Sequence, residues 1–212
     1  MKNIKMIPVC WLLGGGSIAL LISVSLITGS PLTGVWDVIK KVPMVISVDG
    51  ILVLLFIKWG WRSRLFRGWL VPFPDLAGTW KGRITSTWTD PRTGAAKPPI
   101  DAYLAIKQSF RSITCVVYTE EMVSESYTAE FVLKEESVPK HLVCSYFSKP
   151  RVGVRDRSAS HDGSVDLSII EAPPRRLEGE YWTSRKTTGE MEFEYVGRKQ
   201  TQRFPKSSLS GA

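Results

Sequence analysis

One apolar stretch limits the fold of this chain more than any other feature. It runs from Val42 to Arg67 and reads VPMVISVDGILVLLFIKWGWRSRLFR. A helix that crosses a bilayer needs about 20 mostly apolar residues, and this stretch is long enough to supply them. Its end carries tryptophans and then arginines, among them Trp59, Trp61 and Arg62. Because this order is typical of the cytoplasmic end of a membrane helix, the stretch predicts a transmembrane helix.

A second apolar run, from Met6 to Thr28, carries no charged residue. It is longer than the apolar core of a signal peptide, and no A-x-A-like cleavage site follows it, so we interpret it as a second, uncleaved helix. The connection from Gly29 to Pro43 contains glycine and proline and suits a turn. Basic residues at the outer ends of the two runs outnumber those in the connection by six to two. The sequence therefore predicts a helical hairpin with both termini in the cytoplasm.

Two features of this predicted hairpin point beyond a simple anchor. Gly14, Gly15 and Gly16 are small residues of the kind that lets helices approach closely in lipid. Asp49 lies in the second apolar run, where an ionised side chain is costly and usually marks a site. An Asp49 near the lipid headgroups would carry no such meaning, and this alternative stays open. If Asp49 is buried, these residues predict a surface for oligomerisation.

Charge and cysteine spacing argue against two classes of protein. The chain has 212 residues and a net charge of +8, of which +6 lies before Val71 (8 basic, 2 acidic) and +2 after it (20 basic, 18 acidic). A general binder of DNA or RNA usually has a basic face on its folded domain, so we expect no nucleic-acid polymer as a partner. Cys10, Cys115 and Cys144 lie too far apart for a zinc motif or a disulfide framework, and we expect no metal site.

The chain changes character after Pro74, where short β-branched or alternating runs are separated by turn residues. Eight such runs predict strands: Leu76–Trp88, Ile100–Gln108, Ile113–Thr119, Ser124–Lys134, His141–Ser148, Ser164–Ile170, Leu177–Ser184 and Glu190–Arg198. Eight short strands with tight connections are typical of an antiparallel barrel or sandwich, and an eight-stranded barrel can hold one small ligand. We therefore predict a membrane α-helical hairpin over 1–70, an all-β, lipocalin-like barrel over 71–205 and a disordered tail over 206–212.

Alternation within these runs predicts which side chains face the barrel interior. The inward sets near the C-terminus are Met191, Phe193 and Tyr195, and Leu177, Gly179, Tyr181 and Thr183. For the fourth run the inward set is Tyr127, Ala129, Phe131 and Leu133. Trp80, on the face of Leu76 and Gly78, is expected to be a core residue.

Catalytic motifs are missing from the sequence. The two histidines, His141 and His161, have no partner in a recognisable catalytic spacing, and neither a Walker loop, G-x-S-x-G nor H-E-x-x-H occurs. We therefore expect a binding protein without catalytic residues or a cofactor, and not an enzyme.

The segment YWTSRKTTG, from Tyr181 to Gly189, joins the last two predicted strands. Aromatic rings stack on bases and basic side chains hold phosphates, so this composition suits a small anionic ligand that contains rings. For Arg185 and Lys186, a solvated hairpin turn is an equally good interpretation. If the strands follow one another in sequence order, further residues could converge on the same cavity. The predicted ligand-binding set is Lys107, Arg111, Tyr146, Tyr181, Thr183, Arg185 and Thr188.

The order of parts is similar to a known family. Two apolar helices, an arginine-rich exit, and a strand-rich domain that opens with LAGTWKG and closes with EYWTSRKTTGEMEFEY resemble the two-transmembrane, β-strand-rich effectors of bacterial CBASS anti-phage systems. The resemblance implies a multi-pass protein of the bacterial inner membrane with a cytoplasmic barrel. It also implies a cyclic dinucleotide as ligand, bound near Tyr181, Thr183, Arg185 and Thr188.

The resemblance further implies an output. Ligand capture would drive homo-oligomerisation through the helices, disrupt the lipid bilayer and kill the infected cell, which is abortive infection. An alternative from another class is a membrane-tethered, lipocalin-like protein that binds a lipid or fatty acid. Such a protein would need an apolar cavity with one polar anchor, which Tyr195, Phe193 and Arg111 could supply.

Overall fold

The computed structural model describes residues 6–29, 33–133 and 140–205. The predicted tail at 206–212 lies outside these residues. The chain forms two compact units, which divide between Pro74 and Asp75.

The first unit contains two helices and two short turns of 3₁₀ helix. Helix α1 spans Met6–Ile27 and helix α2 spans Val35–Lys58, followed by the turns Gly60–Arg62 and Arg64–Phe66. Helix α2 begins inside the stretch predicted as a connection, because Asp37 caps its N-terminus. The Asp37 carboxylate accepts hydrogen bonds from Thr33 Oγ1 (2.9 Å) and from the Gly34 amide (3.2 Å). A carboxylate in the first turn also complements the helix dipole, and the helix then continues past Pro43.

The predicted transmembrane hairpin is wrong over the described residues, where no helix is both long and apolar enough to cross a bilayer. In α2, every stretch of 18 residues holds at least three charged residues, because all of them contain Lys41 and Asp49 and each also contains Lys40 or Lys58. The multi-pass inner-membrane localisation, with both termini and the barrel in the cytoplasm, depended on this hairpin and is wrong with it.

The residues predicted for oligomerisation lie on these two helices. Ser17 Oγ in α1 donates a hydrogen bond of 2.5 Å to Asp49 Oδ2 in α2. Gly14, Gly15 and Gly16 have open space at the position that a Cβ would take. Asp49 therefore joins the two helices of one chain, which accounts for a polar side chain in an apolar run.

The second unit is a closed antiparallel barrel in which each strand pairs with its neighbours in sequence and β8 pairs with β1. The strands are β1 Gly78–Ser86, β2 Ile100–Gln108, β3 Ile113–Thr119, β4 Met122–Val132, β5 Lys140–Pro150, β6 His161–Ile170, β7 Arg176–Thr183 and β8 Thr188–Gly197. The predicted eight-stranded barrel is confirmed. The bounds of β2 and β3 match the prediction, and the other bounds differ by at most three residues.

Sequential strand order places the connections alternately at two ends of the barrel. The connections β1–β2, β3–β4, β5–β6 and β7–β8 share one end, which we call the open end. The connections β2–β3, β4–β5 and β6–β7 share the other, which we call the closed end.

Trp80 fills the closed end, as the sequence predicted for a core residue. Its side chain is fully buried, and its indole N–H donates to the Leu76 carbonyl at 3.0 Å. Tyr195 packs edge-on against it at 5.1 Å between ring centroids, and the Arg175 guanidinium lies over both rings. Phe193 and Leu177, both predicted to face inward, are buried in the same core.

Strand β4 departs from the predicted alternation. Its register with β5 shifts between Ser126 and Thr128, so the chain bulges at Tyr127, which is 62% exposed and not inward as predicted. In a bulge, two residues of one strand lie opposite a single residue of its neighbour. Even-numbered residues of β4 therefore face the interior before the bulge, and odd-numbered residues face it afterwards. After the bulge, Ala129 and Phe131 pack against the core as predicted.

Candidate ligand-binding site

The barrel encloses a cavity of about 820 Å³ toward its open end. Its lining combines inward strand residues with residues of the open-end connections, including Trp88, Lys97, Glu121 and Ser158. Ligand pockets in proteins usually measure about 300–1,000 Å³, so the cavity has room for a small molecule. Because Trp80 and its neighbours fill the closed end, a ligand would enter at the open end.

Two tyrosine rings form one side of this cavity. Tyr146 in β5 and Tyr181 in β7 both line it, and each is 8% exposed. Tyr146 stands opposite Gly163 of β6, and Tyr181 stands opposite Gly189 of β8. Aromatic rings in a cavity wall offer flat faces on which planar ligand groups stack.

Hydroxyl groups from β3, β4 and β5 form another part of the lining. Ser124 Oγ and Ser148 Oγ are 2.7 Å apart across β4 and β5. Ser126 Oγ accepts a hydrogen bond of 2.9 Å from the Cys115 amide, and Thr119 Oγ1 accepts one of 3.0 Å from the Met122 amide. These hydroxyls retain further donor or acceptor capacity that a polar ligand could use.

Arg185 is the cation that best fits an anionic ligand here. Its Nη1 makes two long contacts of 3.4 Å with Ser158 Oγ and the Ala159 carbonyl. Among the described residues no carboxylate pairs with it, whereas Arg157, also in the lining, pairs with Glu121. A guanidinium has five N–H donors, so most of those of Arg185 stay available.

The charge of Arg185 acts on two titratable neighbours in the cavity. Burial raises the pKa of Tyr146 to about 12, an effect that nearby Tyr181 adds to and Arg185 opposes. Burial lowers the pKa of His161 below its usual value, and the positive charge of Arg185 lowers it further. Near neutral pH, Tyr146 is therefore a neutral hydroxyl and His161 a neutral imidazole, so both act as hydrogen-bonding groups.

The deeper part of the cavity is apolar and contains two thiols. Cys115 and Cys144 are free, buried, and 3.5 Å apart between sulfur atoms. The hydrogen bond with Cys144 and burial raise the pKa of the Cys115 thiol well above its usual value, so Cys115 stays protonated. Leu104, Met191 and Phe193 complete this region. The cavity thus runs from a polar opening to an apolar interior.

The structure brings four of the seven predicted ligand-binding residues together. Tyr146, Tyr181, Thr183 and Arg185 all line the cavity. Thr183 Oγ1 also lies 2.6 Å from Thr187 Oγ1 within the β7–β8 connection. This group agrees with the expectation that the last hairpin forms part of an opening to the barrel.

The other three predicted residues lie elsewhere. Lys107 is exposed on the outside of β2, and Arg111 lies in the β2–β3 turn at the closed end. Sequential strand order itself separates the β2–β3 turn from the β7–β8 turn, which sits at the other end. Thr188 is at the open end but exposed, and its hydroxyl lies 2.8 Å from Thr87 Oγ1.

Sequence reasoning missed the inward hydroxyl groups and His161. Ser148 shares the parity of the buried residues Leu142, Cys144 and Tyr146 in β5, and that parity was a usable signal. Ser124 and Ser126 precede the bulge in β4 and have the opposite parity to Ala129 and Phe131, so alternation did not identify them. His161 begins β6, three residues before the predicted start of that strand, so the sequence interpretation left it in a loop.

Comparison with known proteins agrees with this geometry. A protein of Staphylococcus schleiferi named CD-NTase-associated protein 15 is 23% identical over 159 residues, which cover 74% of this chain and 81% of that protein. The profile of a family described as Cap15, cyclic dinucleotide receptor domain, matches residues 71–195, which span the barrel from β1 into β8. The predicted ligand class agrees with this description. Because the match covers more than half of the chain, the chain belongs to the Cap15 cyclic dinucleotide receptor domain family.

Proposed function

We propose that this chain is a CBASS effector whose barrel senses a cyclic dinucleotide produced during phage infection. One observation carries the proposal: the segment that matches the cyclic dinucleotide receptor domain is the segment that encloses the 820 Å³ cavity. The relative in Staphylococcus schleiferi, whose name associates it with a CD-NTase, supports the same assignment.

The chemistry of the cavity suits such a ligand. A cyclic dinucleotide carries two planar bases and two phosphate charges. Tyr146 and Tyr181 would stack on the bases, and Arg185 would hold a phosphate through charge-assisted hydrogen bonds. Hydroxyls such as those of Ser124 and Ser148 would contact sugar or base edges. Tyr146 and Tyr181 are buried in the cavity wall, whereas Arg185 lies exposed at the opening.

We also propose that the barrel binds its ligand without chemically changing it. The groups at the opening are suited to stacking and hydrogen bonding, since Tyr146 stays protonated near neutral pH and the Arg185 guanidinium only donates hydrogen bonds. Analysis of the bound ligand after prolonged incubation would test this, because recovery of unchanged cyclic dinucleotide is expected and a hydrolysed product would contradict it.

The output that we propose is ligand-driven self-association, which would commit the infected cell to abortive infection. Ligand can drive association only if it binds the associated state more tightly than the free chain. Sedimentation velocity of the full-length protein with and without ligand measures this directly, and an unchanged sedimentation coefficient at saturating ligand would contradict it. Membrane disruption, which the resemblance also implied, stays an untested prediction.

Calorimetric titration of the full-length protein tests the proposed function. The probes are cyclic di-AMP, cyclic di-GMP, cyclic di-UMP and the mixed cyclic AMP–GMP and UMP–AMP dinucleotides. We expect saturable binding of at least one probe with a preference among bases. Removing the charge with Arg185→Gln should weaken binding by about tenfold or more, since hydrogen bonds to charged groups contribute about 1.5–3 kcal/mol.

The matched control is Lys186→Gln, which removes the same charge from the next residue, outside the cavity lining. We expect it to leave the affinity within about twofold of the wild type, because Lys186 does not line the cavity and would not contact a ligand there. A folded protein that binds none of the probes contradicts the proposal. Binding of a fatty acid in their place would favour the lipid-carrier alternative.

A further inference from the structure

Tyr146 reaches its place in the cavity wall by lying over a glycine. Gly163 is its partner across β5 and β6. A Cβ at Gly163 would lie 2.5 Å from both Cζ and the hydroxyl oxygen of Tyr146, far inside van der Waals contact. The hydroxyl end of the ring therefore occupies the space that any other residue at position 163 would fill.

The second tyrosine has a similar but less separable arrangement. A Cβ at Gly189 would lie 2.6 Å from Cε1 of Tyr181, but it would also lie 2.1 Å from the Thr85 carbonyl oxygen of β1. A side chain at Gly189 would thus disturb strand pairing. At Gly163 the two nearest atoms belong to the far end of the Tyr146 side chain, which can move, and the next is the Trp182 carbonyl oxygen at 2.9 Å. A side chain at Gly163 therefore acts first on the Tyr146 ring, and it disturbs strand pairing less than a side chain at Gly189 would.

We propose that Gly163 is a positioning residue for the ligand: it holds the Tyr146 ring against the barrel wall and leaves the cavity open for a planar base. This inference rests on the proposed function, since it assigns a role within the same site. Any side chain at Gly163 displaces the Tyr146 ring from the wall. Tyr181 and β7 lie beyond β6, so the displaced ring enters the cavity, where it takes up ligand space and loses its stacking position.

The test compares affinities of full-length variants for the cyclic dinucleotide that binds the wild type most tightly. Gly163→Ala should weaken binding by about tenfold or more, which is the scale of one lost base-stacking contact. The control is Gly153→Ala, because a Cβ there meets nothing within 4 Å. We expect that control to bind as the wild type does.

A double-mutant cycle separates positioning from a general structural effect. Tyr146→Ala removes the ring and should itself weaken binding. If Gly163 acts through that ring, adding Gly163→Ala to Tyr146→Ala should change the affinity by less than about twofold. The same cycle in urea unfolding covers the case in which Gly163→Ala does not fold, because removal of the ring should then restore folding.

The outcomes are distinct. A wild type that binds no probe overturns the proposed function. A wild type that binds, with Gly163→Ala equal to it, overturns the positioning role alone. The positioning role is also overturned if Gly163→Ala weakens binding equally in the presence and in the absence of the Tyr146 ring. A double variant that remains unfolded overturns it too. Either result would mean that Gly163 is needed for the pairing of β6 with β7 and not for the placement of the ring.

Discussion

His161 shows how one residue links the cavity to the stability of the barrel. Burial and the Arg185 charge lower its pKa in the folded state, although nearby Asp162 and the Ala159 carbonyl partly oppose this. When the pH falls below the usual histidine pKa of 6.5, His161 becomes protonated in the unfolded chain but stays neutral in the folded chain. The free energy of unfolding should therefore fall as the pH drops from 6.5 toward the folded-state pKa.

Urea unfolding at about pH 7.5 and about pH 5 measures this contribution. We expect the wild type to lose more stability at the lower pH than His161→Gln does, since glutamine cannot take up the proton. The other histidine, His141, provides the control, because it lies on the outer face beside Asp166. The variant His141→Gln should still show the loss of stability at low pH that we assign to His161. An equal loss in wild type and His161→Gln would contradict the assignment.

Residue types at the last hairpin carried enough information to predict part of the cavity lining. Aromatic and basic residues close together identified Tyr181, Thr183 and Arg185, and the structure places all three at the cavity. Arg111 looked equally suitable by type. Its position in a closed-end turn follows from strand order, which residue type does not encode.

Strand β1 closes one end of the barrel through Trp80, and this gives a prediction at the scale of an element. Trp80 is fully buried against Leu76, Tyr195 and Arg175. Trp80→Ala should lower the free energy of unfolding by about 3–5 kcal/mol, the usual cost of removing a large buried ring.

Denaturant unfolding checks this against a tryptophan of another strand. Trp182 in β7 is 47% exposed on the outer face, so Trp182→Ala should cost less than about 1 kcal/mol. Similar losses for the two variants would contradict the description of Trp80 as the core of the closed end.

Strand positions were predictable because β-branched and alternating runs are separated by clear turn residues, and β2 and β3 match the prediction at both ends. The bulge in β4 was not. Tyr127 and Phe131 have the same parity and similar apolar character, yet one points outward and the other packs on the core. A bulge adds one residue without any change in composition, so alternation alone places Tyr127 on the wrong face.

At the scale of the whole molecule, a ligand enclosed by the barrel should stabilise it against unfolding. The cavity exists only when all eight strands are paired, so the unfolded chain offers no such site. At a free ligand concentration of 100 times Kd, the free energy of unfolding should rise by about 2.7 kcal/mol. Urea unfolding with and without the preferred cyclic dinucleotide measures the increase, and no shift at that concentration would contradict binding inside the barrel.

The two units differ in how well the sequence predicted them. Hydropathy suggested a membrane hairpin, but α2 begins earlier than expected and includes Asp37, Lys40, Lys41 and Asp49. An average over apolar residues does not register how charges are spaced along the helix that forms. In the barrel, local patterning predicted the eight strands, which the structure confirms, and it failed at the bulge in β4, where Tyr127 lies on the outer face.

The location of a bound cyclic dinucleotide tests the central claim most directly. We would determine the crystal structure of the full-length protein with the probe that binds most tightly in calorimetry. The account predicts ligand density inside the barrel, with bases against Tyr146 and Tyr181 and a phosphate within hydrogen-bond distance of Arg185. Ligand bound to the outer surface of the barrel, with the cavity lacking ligand density, would contradict it.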